Sequence, residues 1–329
     1  MPRIGLVLGA GGVVGHAFHA GVLATVAEET GWDPRDAEVI VGTSAGSVVG
    51  ALLRAGATAP DLFARATGAP LSSEGRRLVA RAEAGHADLP AIPSRSERRR
   101  VPAMSAPGAL ARAALQPWNA RPGALAAAFL PEGSVPTELV AASLRPLFTR
   151  WPDAPLWINA VELDTGRRVT FGREITRTVA VADAVAASCA IPAFFAPVWI
   201  DGVRFVDGGV HSPTNADLVA GLELDLVVVS SPMSIAGTGV RFAADQPARL
   251  ISRYALGREV ARVRRSGTPV LTFQPTEADL AVMGLNAMEE SRRAPVAHAA
   301  YESARRRLDS TGAHDRRAIL RRSTSSRPA

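Results

Sequence analysis

The sequence predicts an α/β fold with a central, mostly parallel sheet flanked by helices. Three observations predict it. First, Ile4-Gly5-Leu6-Val7-Leu8 is a short apolar run that reads as a buried strand, followed by a glycine loop and a helical stretch. Second, Val39-Ile40-Val41 leads through Gly42-Thr43-Ser44-Ala45-Gly46 into the Ala- and Leu-rich residues 47–53. Strand, turn and helix twice in succession imply parallel strands joined by right-handed crossovers. Third, residues 156–161, 226–230 and 270–273 are further apolar runs of strand length.

The elements follow in order. Gly9-Ala10-Gly11-Gly12-Val13-Val14-Gly15 is the glycine loop, and residues 16–29 are the first helix, ending near Gly31. After the second strand and its helix, residues 58–136 turn rich in Ala, Pro and Arg. They hold short helical pieces at 61–67 and 108–115 and a solvated basic loop at 93–102, which together read as a helical insertion or cap. Helix returns at 137–148, with Thr137 as N-cap. Asp164-Thr165-Gly166 turns the strand at 156–161 into residues 168–171, a hairpin. Residues 181–189 form a small-residue helix closed by Pro192. Asp201-Gly202 between two apolar runs is a strong hairpin signal, and Asp207-Gly208-Gly209 ends the second of those strands. Residues 289–308 are a C-terminal helix, and the basic, Ser-rich residues 310–329 read as a disordered tail. The expected organisation is one domain over residues 1–309.

Composition narrows the function. The chain has 329 residues, 47% of them apolar, enough for a substantial core. Its formal charge is +6, and all 37 basic residues are arginine. In an Ala-rich chain this reads as compositional bias. Aromatics are 5% and do not interleave with basic residues, so nucleic acid is not an expected partner. The one cysteine, Cys189, can form no intramolecular disulfide and suits a reducing compartment. No apolar run is clean enough to span a bilayer: residues 179–200 are broken by Asp183, Pro192 and Pro197. The expected location is the cytoplasm. The Arg-rich insertion has two readings, a solvated cap or peripheral contact with an anionic membrane surface.

Gly42-Thr43-Ser44-Ala45-Gly46 has the strand–turn–helix setting of a nucleophile elbow. The serine sits in a sharp turn, so the positions two before and two after it must lack colliding side chains, hence Gly42 and Gly46. The following helix aims its N–H groups and positive dipole end near the hydroxyl. The glycine loop has two readings. Strand, glycine loop and helix also describe a dinucleotide site. However, Val14 stands where G-x-G-x-x-G counted from Gly9 needs its third glycine, and the second strand does not end in an acidic residue. The other reading is an oxyanion hole built from the N–H groups of Gly11, Gly12 and Val13.

A serine hydroxyl needs a group to take its proton. His16 and His19 lie in the first helix, His86 and His314 in loop-like or tail sequence, and His298 on the C-terminal helix. His211 follows a strand-end turn and is the triad candidate. Among carboxylates Asp207 stands out, because Gly208-Gly209 lets its backbone turn sharply toward another loop. Asp201 is explained as a turn former.

The glycine loop, Gly42-Thr43-Ser44-Ala45-Gly46 and Asp207-Gly208-Gly209, in that order, resemble the patatin-like phospholipases, an acyl hydrolase family. Supporting stretches are Ala187-Ser188-Cys189-Ala190-Ile191-Pro192-Ala193-Phe194-Phe195 and Met283-Gly284-Leu285-Asn286. The likeness covers about residues 3–307 and is weakest in the insertion. It implies a three-layer sandwich with a nucleophile elbow, a Ser–Asp dyad with Ser44 as nucleophile and Asp207 as base, acyl-ester lipid substrates, and no metal or other cofactor. Gly15, Gly42, Gly46, Gly208 and Gly209 would shape the motifs. One position departs: many members carry Arg or Lys before the last glycine of the loop, where this chain has Val14. The backbone donors survive that change, whereas a cationic contact to a lipid headgroup or to the loop does not. The expected function is hydrolysis of lipid carboxylic esters, of phospholipase A or lipid esterase type. Transacylation to an alcohol and lipid binding without catalysis are the alternatives.

Overall fold

The computed structural model describes residues 1–85, 104–108, 110, 122–173, 179–237 and 244–324. Eight strands form one sheet: β1 (Ile4–Leu8), β2 (Val39–Thr43), β3 (Leu156–Glu162), β4 (Arg168–Phe171), β5 (Val198–Ile200), β6 (Val203–Asp207), β7 (Leu226–Ser230) and β8 (Val270–Phe273). Their order is β5-β6-β3-β2-β1-β7-β8, with β4 also paired to β3. β3, β2, β1, β7 and β8 run parallel, while β4, β5 and β6 are antiparallel additions. The sheet is thus mostly parallel, as expected.

The described helices are α1 (Gly12–Thr30), α2 (Ala45–Arg54), α3 (Ala59–Thr67), α4 (Ser73–Ala84), α5 (Pro122–Phe129), α6 (Glu138–Leu144), α7 (Val181–Ser188), α8 (Gln246–Arg265), α9 (Glu277–Met283), α10 (Arg293–Asp309) and α11 (His314–Thr324). Strand side chains alternate between faces, and this builds the layers. Leu6, Leu8, Ile40 and Val228 share one core with Phe18 of α1, Val49 of α2, Val185 of α7 and Val296 of α10. Val7, Val41, Val227 and Val229 share another with Leu256, Val260 and Val263 of α8. The result is helices, sheet, helices.

The pairing of β3 positions the site. Ile158 and Asn159 pair with both β2 and β4. Ala160 and Val161 pair with both β4 and β6. β4 therefore lines one edge of β3, and β2 and β6 share the other, end to end. Thr43 faces Asn159 and Asp207 faces Ala160, on adjacent rungs.

Several elements differ from expectation. α1 starts at Gly12, not at residue 16, so the second half of the glycine loop is a helical first turn. The helix expected at 137–148 stops at Leu144 and tightens into a 3-10 turn, Arg145–Leu147, where Pro146 has no N–H to continue it. Thr137 holds the N-cap position, but its side chain makes no capping bond. The helix expected at 289–308 is a 3-10 turn, Glu290–Arg292, followed by α10. The sequence reading has no counterpart for α8, whose mixture of arginines and apolar residues hides its buried face of Leu256, Val260 and Val263. In the insertion, the piece at 61–67 falls within α3. His86, the basic loop at 93–102 with Arg98, Arg99 and Arg100, and all of 108–115 except 108 and 110 lie outside the described residues. No helix among the described residues is long and apolar enough to cross a membrane.

The expectation of disorder over 310–329 is corrected: His314–Thr324 is α11. It is anchored by two groups that composition does not weigh. Leu320 is fully buried, and Arg317 pairs with Glu29 at 2.6 Å and with Asp309. Residues 325–329 lie outside the described set. Leu320→Ala should therefore destabilise the protein by about 2–3 kcal/mol, the usual cost of deleting a buried leucine. Urea unfolding checks this, and a solvated tail would give no change.

Candidate active site

β2 ends at Thr43 and α2 begins at Ala45, so Ser44 alone makes the turn, with φ 52° and ψ −120°. Such a backbone is strained for a side-chain-bearing residue, typically by about 1–3 kcal/mol. It persists because the surroundings leave no alternative. A Cβ on Gly42 would lie 2.5 Å from Ser47 Cα, and one on Gly46 would lie 2.0 Å from the Leu8 carbonyl oxygen. The elbow is therefore pressed against both its own helix and β1. The Ser44 N–H donates to Ser188 Oγ at 2.9 Å, and Ser188 Oγ donates to the Asn159 carbonyl at 2.6 Å. The Ser44 carbonyl accepts from the Ser47 N–H and Oγ.

A buried polar pad supports the turn from below. Asn159 donates to the Gly42 carbonyl at 3.2 Å and accepts from Thr170 Oγ1 at 3.0 Å. Asn215 donates to Thr43 Oγ1 at 3.1 Å and to the Ser212 carbonyl, and accepts from Arg168. Asn159 and Asn215 have no solvent exposure, so each bond replaces one that water would otherwise make. Neither asparagine stands out in the sequence, because Asn159 is one polar residue inside an apolar strand run and Asn215 lies in a loop.

Asp207 ends β6, and Gly208 to Val210 follow as a 3-10 turn. Gly208 packs on Asn159, where a Cβ would meet the carbonyl oxygen at 2.2 Å. The Gly209 N–H donates to Asp207 Oδ1 at 2.7 Å. Asp207 is 5% exposed and Ser44 3%. Burial pushes the Asp207 pKa up from 3.8 to about 6, against the Ser44 hydroxyl and the Gly209 N–H, which favour the charged form.

The glycine loop arches over the same point. Its Gly9 carbonyl accepts from the Gly46 N–H at 3.1 Å and from His19 Nε2 at 2.8 Å. His19 Nδ1 then accepts from Ser230 Oγ, which sets the tautomer. Burial lowers the His19 pKa to about 4, so the ring is neutral and acts as a strut. Gly12 has φ 61°, and a Cβ there would lie 2.7 Å from the Ala287 carbonyl oxygen. The Val14 N–H donates to that oxygen, and the Gly15 N–H donates to the Gly11 carbonyl. The N–H groups of Gly11, Gly12 and Val13 have no acceptor among the described residues. They belong to the start of α1, so they carry its positive dipole end, and α2 adds a second from the other side.

A cavity of about 360 Å³ opens onto Ser44, Gly12 and Val13. A larger depression of about 560 Å³, bordered by Arg54 and Trp151, lies at the opposite end of α2 and touches neither Ser44 nor Asp207. His16 lines the smaller cavity, next to the Ala45 backbone at the start of α2. Its pKa is lowered to about 3, first by burial and then by His19, Arg293 and Arg65. His211, the triad candidate, is half-buried and acts electrostatically on Asp217; it does not contribute to the shift of Asp207. His298 is exposed against the Phe63 ring, and His314 is exposed at the start of α11. Among the described residues, no group of three or more His, Cys, Asp or Glu is placed to hold a metal ion.

Two solved structures are similar to this chain. One is VipD from Legionella pneumophila, at 14% identity and a TM-score of 0.43, covering 94% of this chain and 67% of that one. The other is the type III effector protein ExoU, at 19% identity and a TM-score of 0.37, covering 93% and 53%. This chain thus spans about two thirds of the first and about half of the second. The sequence model described as patatin-like phospholipase matches residues 6–220, which include the glycine loop, the Ser44 elbow and Asp207-Gly208-Gly209 but not the 283–286 stretch. With 215 of its 329 residues matched in one continuous span, the chain belongs to the patatin-like phospholipase family.

Proposed function

We propose that this protein is a serine acyl hydrolase that cleaves lipid carboxylic esters through a dyad of Ser44 and Asp207. One observation carries the reading: a strained serine whose hydroxyl acts on a buried carboxylate, beside backbone N–H groups that have no acceptor among the described residues. Membership of the family supports a lipid hydrolase.

Ser44 Oγ attacks the ester carbonyl carbon as its proton passes to Asp207. The tetrahedral oxyanion is held by the N–H groups of Gly11, Gly12 and Val13, aided by the two helix N-termini. The intermediate collapses, the alcohol leaves with the proton from Asp207, and the acyl group stays on Ser44. Water then attacks the acyl-serine while Asp207 takes its proton, and the acid is released as Ser44 is reprotonated. A free aspartate, with a pKa of about 3.9, is a weak base for this work. Burial of Asp207 narrows the gap, and the low-dielectric site strengthens every charge interaction in it.

Two expected outcomes test the dyad. Ser44→Ala and Asp207→Asn should each reduce hydrolysis of a short-chain nitrophenyl ester by roughly 10³-fold or more, with the circular dichroism spectrum retained. His211→Ala should keep most of the activity. Folded His211→Ala protein as inactive as Ser44→Ala would replace the dyad with a triad.

The raised pKa of Asp207 gives a stability test. Folded Asp207 holds its proton up to about pH 6, and the unfolded residue releases it near 3.8. Between these values the native state binds more protons, so stability falls as pH rises through this window. A shift of about two pKa units corresponds to roughly 3 kcal/mol. Asp207→Asn should therefore be more stable than wild type at pH 8, with the difference shrinking as pH falls to 4. Thermal melts across that range measure it, and a difference independent of pH would mean that Asp207 is not buried in its charged form.

A further inference from the structure

The Ser44 cavity is apolar over most of its wall, with Ala17, Val48, Leu52, Leu62, Val140 and Phe195 among the lining, as an acyl chain requires. Two cations break that lining, Arg65 near the end of α3 and Arg293 at the start of α10. Arg293 Nη2 donates to the Arg65 backbone carbonyl at 3.2 Å, which holds the Arg293 guanidinium against the end of α3. Both charges reach His16, another lining residue, and Arg293 lies close enough to act on Arg65.

Neither guanidinium makes an ion pair among the described residues. Glu290, on the same lining, is exposed and pairs with neither, and Glu83 acts on Arg65 only as a more distant charge. Several other arginines do pair with a carboxylate, Arg168 with Asp217 at 2.7 Å, Arg249 with Asp245 and Arg317 with Glu29. Two like charges held together beside an apolar cavity repel each other unless an anion lies between them. Arg65 keeps exposed surface, so the pair stands where the cavity meets solvent.

We propose that Arg65 and Arg293 form an anion subsite that takes the phosphate of a lipid headgroup whose acyl chain fills the Ser44 cavity. Paired guanidiniums present planar forks of N–H donors that match the several oxygens of a phosphate. The glycine loop supplies no cation, since position 14 is a valine buried in the core. The charge for an anionic headgroup comes instead from α3 and α10, on the far wall of the cavity. The subsite rests on the hydrolase reading for the placement of the acyl chain.

Titration calorimetry on Ser44→Ala protein tests this apart from catalysis. The probes are dodecyl phosphate, the uncharged 1-O-dodecylglycerol and inorganic phosphate, each kept below aggregating concentrations. Arg65→Gln and Arg293→Gln should each weaken dodecyl phosphate at least tenfold, and the uncharged probe by twofold or less. Arg65→Lys should recover part of the loss, which separates charge from folding. Equal weakening of both dodecyl probes, or none, overturns the subsite. Inorganic phosphate binding as tightly as dodecyl phosphate overturns the lipid assignment and leaves a free-phosphate site. Absence of Ser44-dependent ester cleavage in the wild type would instead refute the hydrolase reading, and the binding arms would register charge selectivity regardless.

Discussion

β3 is shared along one edge by two strands, β2 on its first half and β6 on its second, and this sharing sets where serine and carboxylate meet. β2 runs parallel to β3 and β6 antiparallel, so their carboxyl ends point at each other. Thr43 and Asp207 sit on neighbouring rungs, and successive rungs of a strand are only about 3.3 Å apart. No long loop has to bring the two groups together. The ladder does it: Asp207 is the last residue of β6, and Ser44 lies one step beyond the end of β2. The glycine loop reaches the same point because β1 is the other neighbour of β2, with Leu8 in register with Gly42.

This arrangement stores energy. Ser44 carries a strained backbone, Asp207 is a buried carboxylate, and the N–H groups of Gly12 and Val13 at the start of α1 have no acceptor among the described residues. Each opposes folding, so other parts of the molecule must hold them in place. The two apolar layers on either face of the sheet supply the driving force. The pad of Asn159, Asn215, Thr43 and Thr170 supplies direction, since its bonds are satisfied only when the β2 end sits where it does. Glu259, half-buried and accepting from Thr214 Oγ1 and the Ala216 N–H, ties the Asn215 segment to α8. The residues between β6 and β7 are thereby anchored on a helix of the far layer.

What was legible in the sequence was local. A β-branched run, a glycine two residues either side of Ser44 and an Asp-Gly hairpin each declare themselves within ten residues, and the strands they implied are present. What was not legible depends on distant partners. Asn159, a lone polar residue in a strand run, and Asn215, a loop residue, show no link until the sheet brings Thr43 between them. α8 reads as polar because Arg249 and Glu259 are turned inward, where Asp245 and Thr214 satisfy them. α11 reads as a tail because its anchors, Glu29 and the pocket for Leu320, lie nearly 300 residues earlier or in other elements. The glycine loop reads as a loop throughout, because Gly12 and Gly15 in its second half conceal the first turn of α1.

The choice of a carboxylate over a histidine as the base in the proposed dyad follows from the same burial. Desolvation disfavours whichever protonation state is charged, so it raises an acid and lowers an imidazole. At this site it lifts Asp207 to about 6 and drops His19 and His16 to about 4 and 3. In water an imidazole is the stronger base by more than two units; here the order is inverted. The inversion is reinforced by partners, because His19 is engaged at both ring nitrogens and His16 is engaged with the Ala45 backbone. A histidine placed beside Ser44 in so dry a site would be a poorer proton acceptor than the aspartate. It would also become a buried cation between two helix N-termini, whose positive ends disfavour it. An aspartate that gains a proton there loses its charge, and the same two dipoles remain free to stabilise the oxyanion.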